Sequence, residues 1–270
     1  MPHCPSAPLP GPALAVRSLF LSDLHLGARG CRATEILSFL RQIEAERIYL
    51  VGDILDIWHP AAVHWSATHD AIIDWIGDQL AAGREVIYLY GNHDREMAVD
   101  FPRPMPAVRV AERVTHEAAD GRRYLVLHGD QADGRLLRWH WMTRIGSRAD
   151  ALLRRLDQAL RRHRGLSEGE RSLIQAVLAG VNTLLAMGDG FERRLALIAE
   201  TAGREGIICG HSHKPALRDV AGRIYANCGD WVDSLTALVE HADGRLHLLQ
   251  WAPEAARIAA PQGALKETLA

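Results

Sequence analysis

The chain has 270 residues, of which 48% are apolar or aromatic and 24% are charged, and its formal net charge is −2. This composition is typical of a globular protein with a sizeable core, and the net charge excludes a polycation that binds nucleic acid through its overall charge. No apolar stretch approaches the roughly 20 residues that span a bilayer. The cysteines Cys4, Cys31, Cys209 and Cys228 form no Cys-x-x-Cys pair. We therefore expect reduced thiols and a cytoplasmic protein.

The first part of the chain alternates strand patterns with helix patterns. Residues 1–16 are rich in proline and lack both a basic start and an unbroken apolar run, so we expect a flexible tail rather than a signal peptide. Short apolar runs predict strands at 17–21, 47–51, 86–90, 123–127 and 206–209. Helical spacing of apolar residues predicts helices over 33–45 and 69–82. This alternation favours an α/β fold with parallel strands covered by helices.

Two later segments break the alternation. Residues 133–204 have helical patterns throughout, including a leucine stripe from Leu152 to Leu160, and we interpret them as a helical cap inserted into the α/β domain. After residue 205, apolar runs between turn signals predict antiparallel strands at 216–220, 223–227, 234–240 and 245–251. The predicted organisation is a core of 17–132 and 205–252, the cap, and a C-terminal tail over 253–270.

A polar cluster follows each of the five strands that belong to the α/β pattern. The clusters contain Asp23 and His25, then Asp53, then Asn92, His93 and Asp94, then His128, and finally His211 and His213. A single cluster of this kind is more often a turn or a core residue than a site. Ligands of open α/β sheets, however, bind at the carboxyl ends of the strands, so five clusters in this position are expected to converge on one crevice.

The donor atoms of these clusters indicate a metal centre. Carboxylate, imidazole and amide donors without thiolates suit Mn, Fe or Zn rather than a structural cysteine site. The clusters offer too many donors for one tetrahedral ion, and they suit two ions about 3.5–4 Å apart that share a carboxylate. Because residues i and i+2 of an extended segment face the same way, we expect Asp23 and His25 to reach the same ion.

Together the motifs resemble the signature of the calcineurin-like metallophosphoesterases. The matching segments are Asp23-x-His25, Gly52-Asp53-x-x-Asp56, Gly91-Asn92-His93-Asp94, His128-Gly129-Asp130 and Gly210-His211-Ser212-His213. The resemblance covers roughly 17–250 apart from the cap, and it implies a four-layer α/β/β/α sandwich with a dinuclear site between the sheets. The implied ligands are Asp23, His25, Asp53 and His213 for one ion, and Asp53, Asn92, His128 and His211 for the other. Asp53 would bridge the two ions.

The resemblance also implies hydrolysis of a phosphoester bond by attack of a metal-activated hydroxide on phosphorus. Two manganese ions are expected, with iron or zinc as alternatives. We expect His93 to face the substrate, where it stabilises the transition state or protonates the leaving oxygen. Asp94 is expected to accept a hydrogen bond from His93 and to favour its charged form.

Some stretches resemble one branch of that family, the UDP-2,3-diacylglucosamine diphosphatases of lipid A synthesis. They are "SDLHLG", "VGDILDIW", "HGDQAD" and "YANCGDWVDS", together with the helical insertion. In that branch the acyl chains lie under the cap, so Arg138, Trp139, Arg144 and Arg148 are expected to contact the substrate. The branch carries arginine where this chain has His93. Another phosphodiester or phosphate ester therefore remains an alternative substrate.

The cap is locally basic, since residues 131–165 hold nine arginines against three aspartates. Such a helical face either lies on an anionic membrane or faces water, so peripheral contact with the inner membrane is an alternative to a purely cytoplasmic location. Two other classes compete with an enzyme. A non-catalytic scaffold on the same fold is disfavoured because every ligand position is filled, and a nuclease is disfavoured by the net charge. The oligomeric state stays open.

Overall fold

The computed structural model of the chain defines residues 14–56, 63–95, 102–132 and 190–251, and the backbone of 265–268. The strands are β1 (Leu14–Leu21), β2 (Ile43–Val51), β3 (Glu85–Leu89), β4 (Arg109–Ala111), β5 (Arg113–Glu117), β6 (Arg123–Leu127), β7 (Gly206–Cys209), β8 (Ala216–Val220), β9 (Arg223–Asn227), β10 (Thr236–Glu240), β11 (Leu246–Trp251) and β12 (Leu265–Thr268). The helices are α1 (Ala33–Leu40), α2 (Ala67–Ala81) and α3 (Gly190–Thr201). The chain divides into two compact units, residues 1–131 with 195–270, and residues 132–194. All twelve strands belong to the first unit.

The strands form two sheets. The seven-stranded sheet has the order β12-β11-β10-β1-β2-β3-β4, and the five-stranded sheet has the order β5-β6-β7-β9-β8. Strands β1 to β4 are parallel, as are β6, β7 and β9. Strands β10 to β12 extend the first sheet in antiparallel pairs, and β5 and β8 flank the second sheet in the same way. This arrangement confirms the predicted mixed α/β class.

Successive strand residues enter two different cores. Leu19 and Ile48 pack in the core that includes α1 and α2, whereas Phe20, Tyr49 and Tyr124 lie in the core between the sheets. The rings of Phe20 and Tyr49 stack with centroids 4.6 Å apart. Neighbouring residues of a strand point to opposite faces of its sheet. The first sheet therefore has the helices on one face and the second sheet on the other. Each such buried side chain contributes about 1.5–3 kcal/mol. The fourth layer stays a prediction.

All strands predicted before the polar clusters are present, although some limits differ. Strand β1 begins at Leu14, inside the predicted tail. The helix predicted over 33–45 ends at Leu40, because Ile43 starts β2 with an alternating pattern of buried and exposed residues. The four strands predicted after residue 205 are present as β8 to β11, with antiparallel pairs β8–β9 and β10–β11, but β9 also runs parallel to β7, which the prediction did not include. None of the helices in the described residues is both long and apolar enough to cross a bilayer.

Three strands lie outside the predicted elements. Strands β4 and β5 are edge strands with mostly exposed residues, so they lack a continuous apolar signal. Strand β12 pairs with β11 through its backbone and falls within the segment predicted to be a C-terminal tail. Of the predicted helical block 133–204, residues 190–201 form α3, and 133–189 lie outside the described residues.

A buried ionic cluster around Glu240 joins β1 and β10 to β5. Glu240 is fully buried and accepts hydrogen bonds from Ser18 Oγ at 2.7 Å, from Arg17 Nη1 at 2.5 Å and from the Ala119 amide at 2.7 Å. Nε2 of His116 lies 3.0 Å from Oε2 of Glu240. Burial opposes ionisation, but the hydrogen bonds from His116, Ser18 and Ala119 outweigh it and lower the pKa of Glu240 from 4.5 to about 2.

We expect Glu240→Gln to lower the free energy of unfolding at pH 7 by about 3 kcal/mol, since one pKa unit corresponds to about 1.4 kcal/mol. Because the folded-state pKa is depressed, this stabilisation is present above about pH 4.5 and is lost as the pH falls towards 2. Urea unfolding from pH 7 down to the lowest pH at which the parent folds measures the difference, with the exposed Glu46→Gln as a control. A difference that stays constant with pH would contradict an electrostatic origin.

Candidate metal centre

The loops that carry the predicted ligands are joined directly to one another. The backbone amide of Asp23 donates to the Gly52 carbonyl at 3.1 Å, and that of His25 donates to the Asp53 carbonyl at 2.9 Å. The amide of His211 donates to Oδ2 of Asp23 at 2.9 Å, which connects the loop after β7 with the loop after β1. The carboxyl ends of strands from both sheets therefore meet at one edge of the sandwich.

One group of donors consists of Asp23, His25 and His213, whose ligand atoms lie within 4.8 Å of one another. Oδ1 of Asp23 is 3.8 Å from Nε2 of His25 and 3.2 Å from Nε2 of His213. Oδ1 of Asp23 and Nε2 of His25 are buried, and neither makes a hydrogen bond of good geometry within the described residues, although Oδ1 of Asp23 lies within ion-pair distance of His213. Unpaired buried donor atoms that face each other fit a cation, which would satisfy both.

The second group consists of Asp53, His128 and His211, whose ligand atoms also lie within 4.8 Å of one another. Nε2 of His128 is 3.3 Å from Oδ2 of Asp53 and 3.3 Å from Oδ1 of Asn92, so the amide of Asn92 belongs to the same place. Nδ1 of His128 donates to the Val51 carbonyl at 3.0 Å. This bond fixes the tautomer that leaves Nε2 free to bind a metal.

Nearby imidazoles keep the carboxylates of Asp53 and Asp23 ionised despite their burial. Burial acts to raise the pKa of Asp53, but the imidazoles of His128, His93 and His25 outweigh burial and keep that pKa well below its usual range. Burial likewise opposes ionisation of Asp23, yet His213 lowers its pKa to about 2. Ionised carboxylates are the form that binds divalent cations.

The backbone of the ligand loops is strained. Five predicted ligands have a positive φ, namely Asp23 at 55°, His25 at 49°, Asp53 at 52°, His211 at 67° and His213 at 55°. The left-handed region costs a residue with a side chain about 1–2 kcal/mol. Asp23 and His25 do converge, but the expected reason was wrong, because neither has the extended backbone that would point i and i+2 the same way. Strain of this kind concentrates at functional sites.

Two glycines of the motifs make the close approach of the loops possible. A Cβ atom at Gly91 would overlap with the carboxylate and the amide nitrogen of Asp53. One at Gly210 would overlap with Oγ of Ser22 and Oδ2 of Asp23. Glycine at both positions therefore lets a neighbouring loop pack directly against a ligand carboxylate.

We expect Gly91→Ala to displace Asp53 and to weaken metal binding at least about tenfold, the scale on which residues around a metal site act. Titration of the metal-free protein with Mn²⁺ measures this loss. Gly77→Ala on α2 is the matched control, because its added Cβ would lie 3.8 Å from Cγ of Pro106, which is an ordinary van der Waals distance. Equal metal affinity in Gly91→Ala and the parent would contradict the packing argument.

His93 pairs with Asp56 rather than with Asp94. Nδ1 of His93 lies 3.2 Å from Oδ1 of Asp56, and its Nε2 lies 3.9 Å from Oδ2 of Asp53. Burial acts to lower the pKa of His93, but Asp56 and Asp53 outweigh it and raise that pKa. The His93 side chain is 23% exposed, whereas the side chains of Asp53 and His128 are 3% and 0% exposed. His93 therefore lies on the open side of the ligands.

Asp94 has a structural contact pattern, which corrects the predicted hydrogen bond from His93. It accepts hydrogen bonds from the amides of Ile54 and Gly91, both at 2.7 Å, and from the Tyr88 hydroxyl at 2.5 Å. These bonds join the loop after β3 to the loop after β2. The carboxylate beside the imidazole of His93 is therefore Asp56, in the role that the sequence suggested for Asp94.

A sixth polar cluster was missed. Asn227 ends β9, and its Nδ2 donates to the Gly210 carbonyl at 2.7 Å, which holds the loop of His211 and His213. Asp230 accepts from the amide of Val232 at 2.8 Å, and its Oδ1 lies 3.9 Å from Nδ1 of His213. Since β9 runs parallel to β7, the same strand-end rule would have identified these residues.

The predicted substrate contacts lie outside the described residues. They are Arg138, Trp139, Arg144 and Arg148 of the cap. Their role and any contact of the cap with a membrane stay predictions.

The sequence profile described as Calcineurin-like phosphoesterase matches residues 16–215. A Ralstonia nicotianae protein named UDP-2,3-diacylglucosamine hydrolase is 29% identical over 226 residues, which cover 78% of this chain and 82% of that protein. A Cellvibrio japonicus protein of the same name is 28% identical over 252 residues, covering 87% and 99%. Zinc-bound Vps29 from Entamoeba histolytica aligns with a TM-score of 0.44 and 15% identity over 93% of this chain and 96% of that one. On the profile match and the site geometry, the chain belongs to the calcineurin-like phosphoesterase family and is a metal-dependent phosphoester hydrolase.

Proposed function

We propose that the protein is a dinuclear diphosphatase that cleaves UDP-2,3-diacylglucosamine, or a related nucleotide-diphosphate lipid, into UMP and a lipid monophosphate. The observation that carries the proposal is the cluster of carboxylate–imidazole groups at one sheet edge. Asp23, His25 and His213 form one group and Asp53, His128 and His211 another, while His25, Asp56 and His93 form a third that shares His25 with the first. The names of the related proteins supply the substrate class. The helical cap, residues 133–204, is proposed to cover the acyl chains.

Two divalent ions, with manganese as the proposed metal, fit the donors described above. Asp23, His25 and His213 would hold one ion, and Asn92, His128 and His211 would hold the other, with Asp53 shared between them. When bound, such ions neutralise phosphate oxygens and lower the pKa of water. The chain's own contribution is to keep the carboxylates ionised and to fix His128 in one tautomer through Val51.

His93 supplies the proton for the leaving oxygen. Asp56 lies beside its Nδ1 and favours the protonated ring, and Nε2 points towards Asp53. The ring of His25 meets that of His93 edge to face, with centroids 4.8 Å apart, and this contact limits rotation of His93. A protonated, partly exposed imidazole beside the ligand carboxylate is suited to general-acid catalysis.

The test is to incubate the manganese-loaded protein with UDP-2,3-diacylglucosamine and to follow the products by phosphorus NMR. The two coupled diphosphate signals should be replaced by two monophosphate signals, one of them from UMP. A reaction in ¹⁸O-labelled water also shows which phosphorus is attacked, because the label enters that product alone. Hydrolysis of an aryl phosphodiester without release of UMP would remove the lipid substrate and leave the family assignment.

A second candidate is hydrolysis of another phosphodiester or phosphate ester. The observation that favours it is the His93–Asp56 pair, because the diphosphatases that the sequence resembles carry arginine at the position of His93. Comparison of rates on the lipid, an aryl phosphodiester and an aryl phosphomonoester separates the two candidates.

A further inference from the structure

An ion pair links two of the loops that carry candidate ligands. Arg95 directly follows the Gly-Asn-His-Asp motif, and its Nη2 donates to Oδ2 of Asp130 at 2.9 Å. Asp130 lies two residues after His128, and Arg95 lies three residues after Asn92. Since Oδ1 of Asn92 is 3.3 Å from Nε2 of His128, the ion pair spans the same two loops that meet in the second ligand group.

The guanidinium of Arg95 is only partly used by this pair. Its side chain is 53% exposed, against 15% for Asp130, and the hydrogen bond engages a single nitrogen, Nη2. A guanidinium carries five N–H donors in a planar fork that matches the oxygens of a phosphate group. Within the described residues, part of the fork is therefore exposed to a ligand, while the bond to Asp130 ties the group to the loop that carries His128.

A diphosphate has a requirement that the candidate metal centre alone does not meet. The ions would neutralise the phosphate group that is attacked, and the neighbouring phosphate group brings further negative charge into the mouth of the site. The donors assembled at the centre are carboxylates, imidazoles and one amide, which suit cations rather than a second phosphate. We propose that Arg95 contacts this second phosphate group and so gives the enzyme a preference for diphosphates. This inference rests on the proposed function.

The competing explanation is that the pair only holds the two loops together. Under that explanation Arg95→Ala and Asp130→Ala break the same bond and have equal effects. Under the proposal the two variants differ, because Asp130→Ala loosens the guanidinium but retains it for the phosphate, whereas Arg95→Ala removes the phosphate contact altogether. Arg109→Ala on β4, an exposed arginine that is paired with Glu85 rather than with a ligand loop, is the control for loss of a positive charge.

The experiment measures, by calorimetry, the affinity of each manganese-loaded protein for UMP and for a methylene-bridged UDP analogue. We expect the parent to bind the analogue more tightly than UMP, and Arg95→Ala to lose about tenfold or more of that preference, the scale of a hydrogen bond to a charged group. Arg95→Lys should retain part of it, because it keeps the charge without the fork. Asp130→Ala and Arg109→Ala should retain most of it. Metal content confirms that each variant is loaded.

Absence of the preference in the parent, its retention in Arg95→Ala, or an equal loss in Asp130→Ala would each overturn the proposal. These results are separable from the proposed function. Release of UMP from the lipid by a parent that lacks the preference would leave the function standing without a role for Arg95. A preference that depends on Arg95 in a protein that does not cleave the lipid would leave the diphosphate contact and remove that substrate.

Discussion

Asp53→Asn should deplete the centre of metal and reduce phosphodiester hydrolysis by more than about a hundredfold, because changes in residues that only support metal ligands already cost about 10–100-fold. Asp53 is the proposed shared ligand, and it contacts two other ligand loops, since Oδ2 lies 3.3 Å from Nε2 of His128 and Oδ1 accepts the His93 amide at 2.8 Å. Asparagine keeps the shape but removes the charge that a divalent ion requires. Elemental analysis after gel filtration, together with the rate on an aryl phosphodiester, measures both effects.

The control for this variant is Asp243→Asn, which removes an exposed carboxylate paired with Arg245. It should leave metal content and rate unchanged, because surface ion pairs contribute little. Full metal content and full activity in Asp53→Asn would contradict its proposed role as the shared ligand.

His93→Ala should lower the rate at least about a hundredfold, the usual scale of general acid–base catalysis, while metal content barely changes. The expectation follows from its position, since His93 lies on the open side of Asp53 and is held by Asp56 instead of by the buried donors. Rates and metal content of the same preparation must be compared, because only the combination separates a proton donor from a ligand.

Two further variants test whether the loss of rate in His93→Ala is specific to that imidazole. Asp56→Asn removes the charge behind the imidazole, so it should show a smaller loss of rate in the same direction. His247→Ala removes a partly buried imidazole on β11 and should leave the rate unchanged. A His93→Ala protein with full activity, or one that has lost its metal, would refute the assigned role.

The strand-end pattern predicts most of the site because it depends only on the direction of parallel strands. A buried run such as Val86–Leu89 must stop where the sheet stops, so the polar residues that follow it lie at the edge with those that follow the other parallel strands. The same reasoning applies to Asn227, although its cluster was not recognised. Edge strands such as β4 and β12 escape this pattern, since backbone pairing does not require an apolar side chain.

Which way each polar side chain turns could not be predicted, because it depends on loop dihedrals. His93 and Asp94 are neighbours in sequence, yet one faces Asp56 and the other accepts the amides of Ile54 and Gly91. Sequence adjacency suggested a bond between them, whereas the turn directs them to different partners. The positive φ values at Asp23 and Asp53 are also set by the loop conformation, and the periodicity of the sequence does not predict them.

The left-handed backbone of the ligand loops lowers the stability of the fold at the residues that are proposed to bind the metals. Glycine relaxes such a conformation without steric strain, so a substitution such as His25→Gly would ease the fold at that point while deleting a donor. Selection for thermal stability alone would therefore favour glycine at these positions and would remove the metal ligands one after another. Aspartate and histidine at these dihedrals therefore give up local stability in order to keep the metal donors.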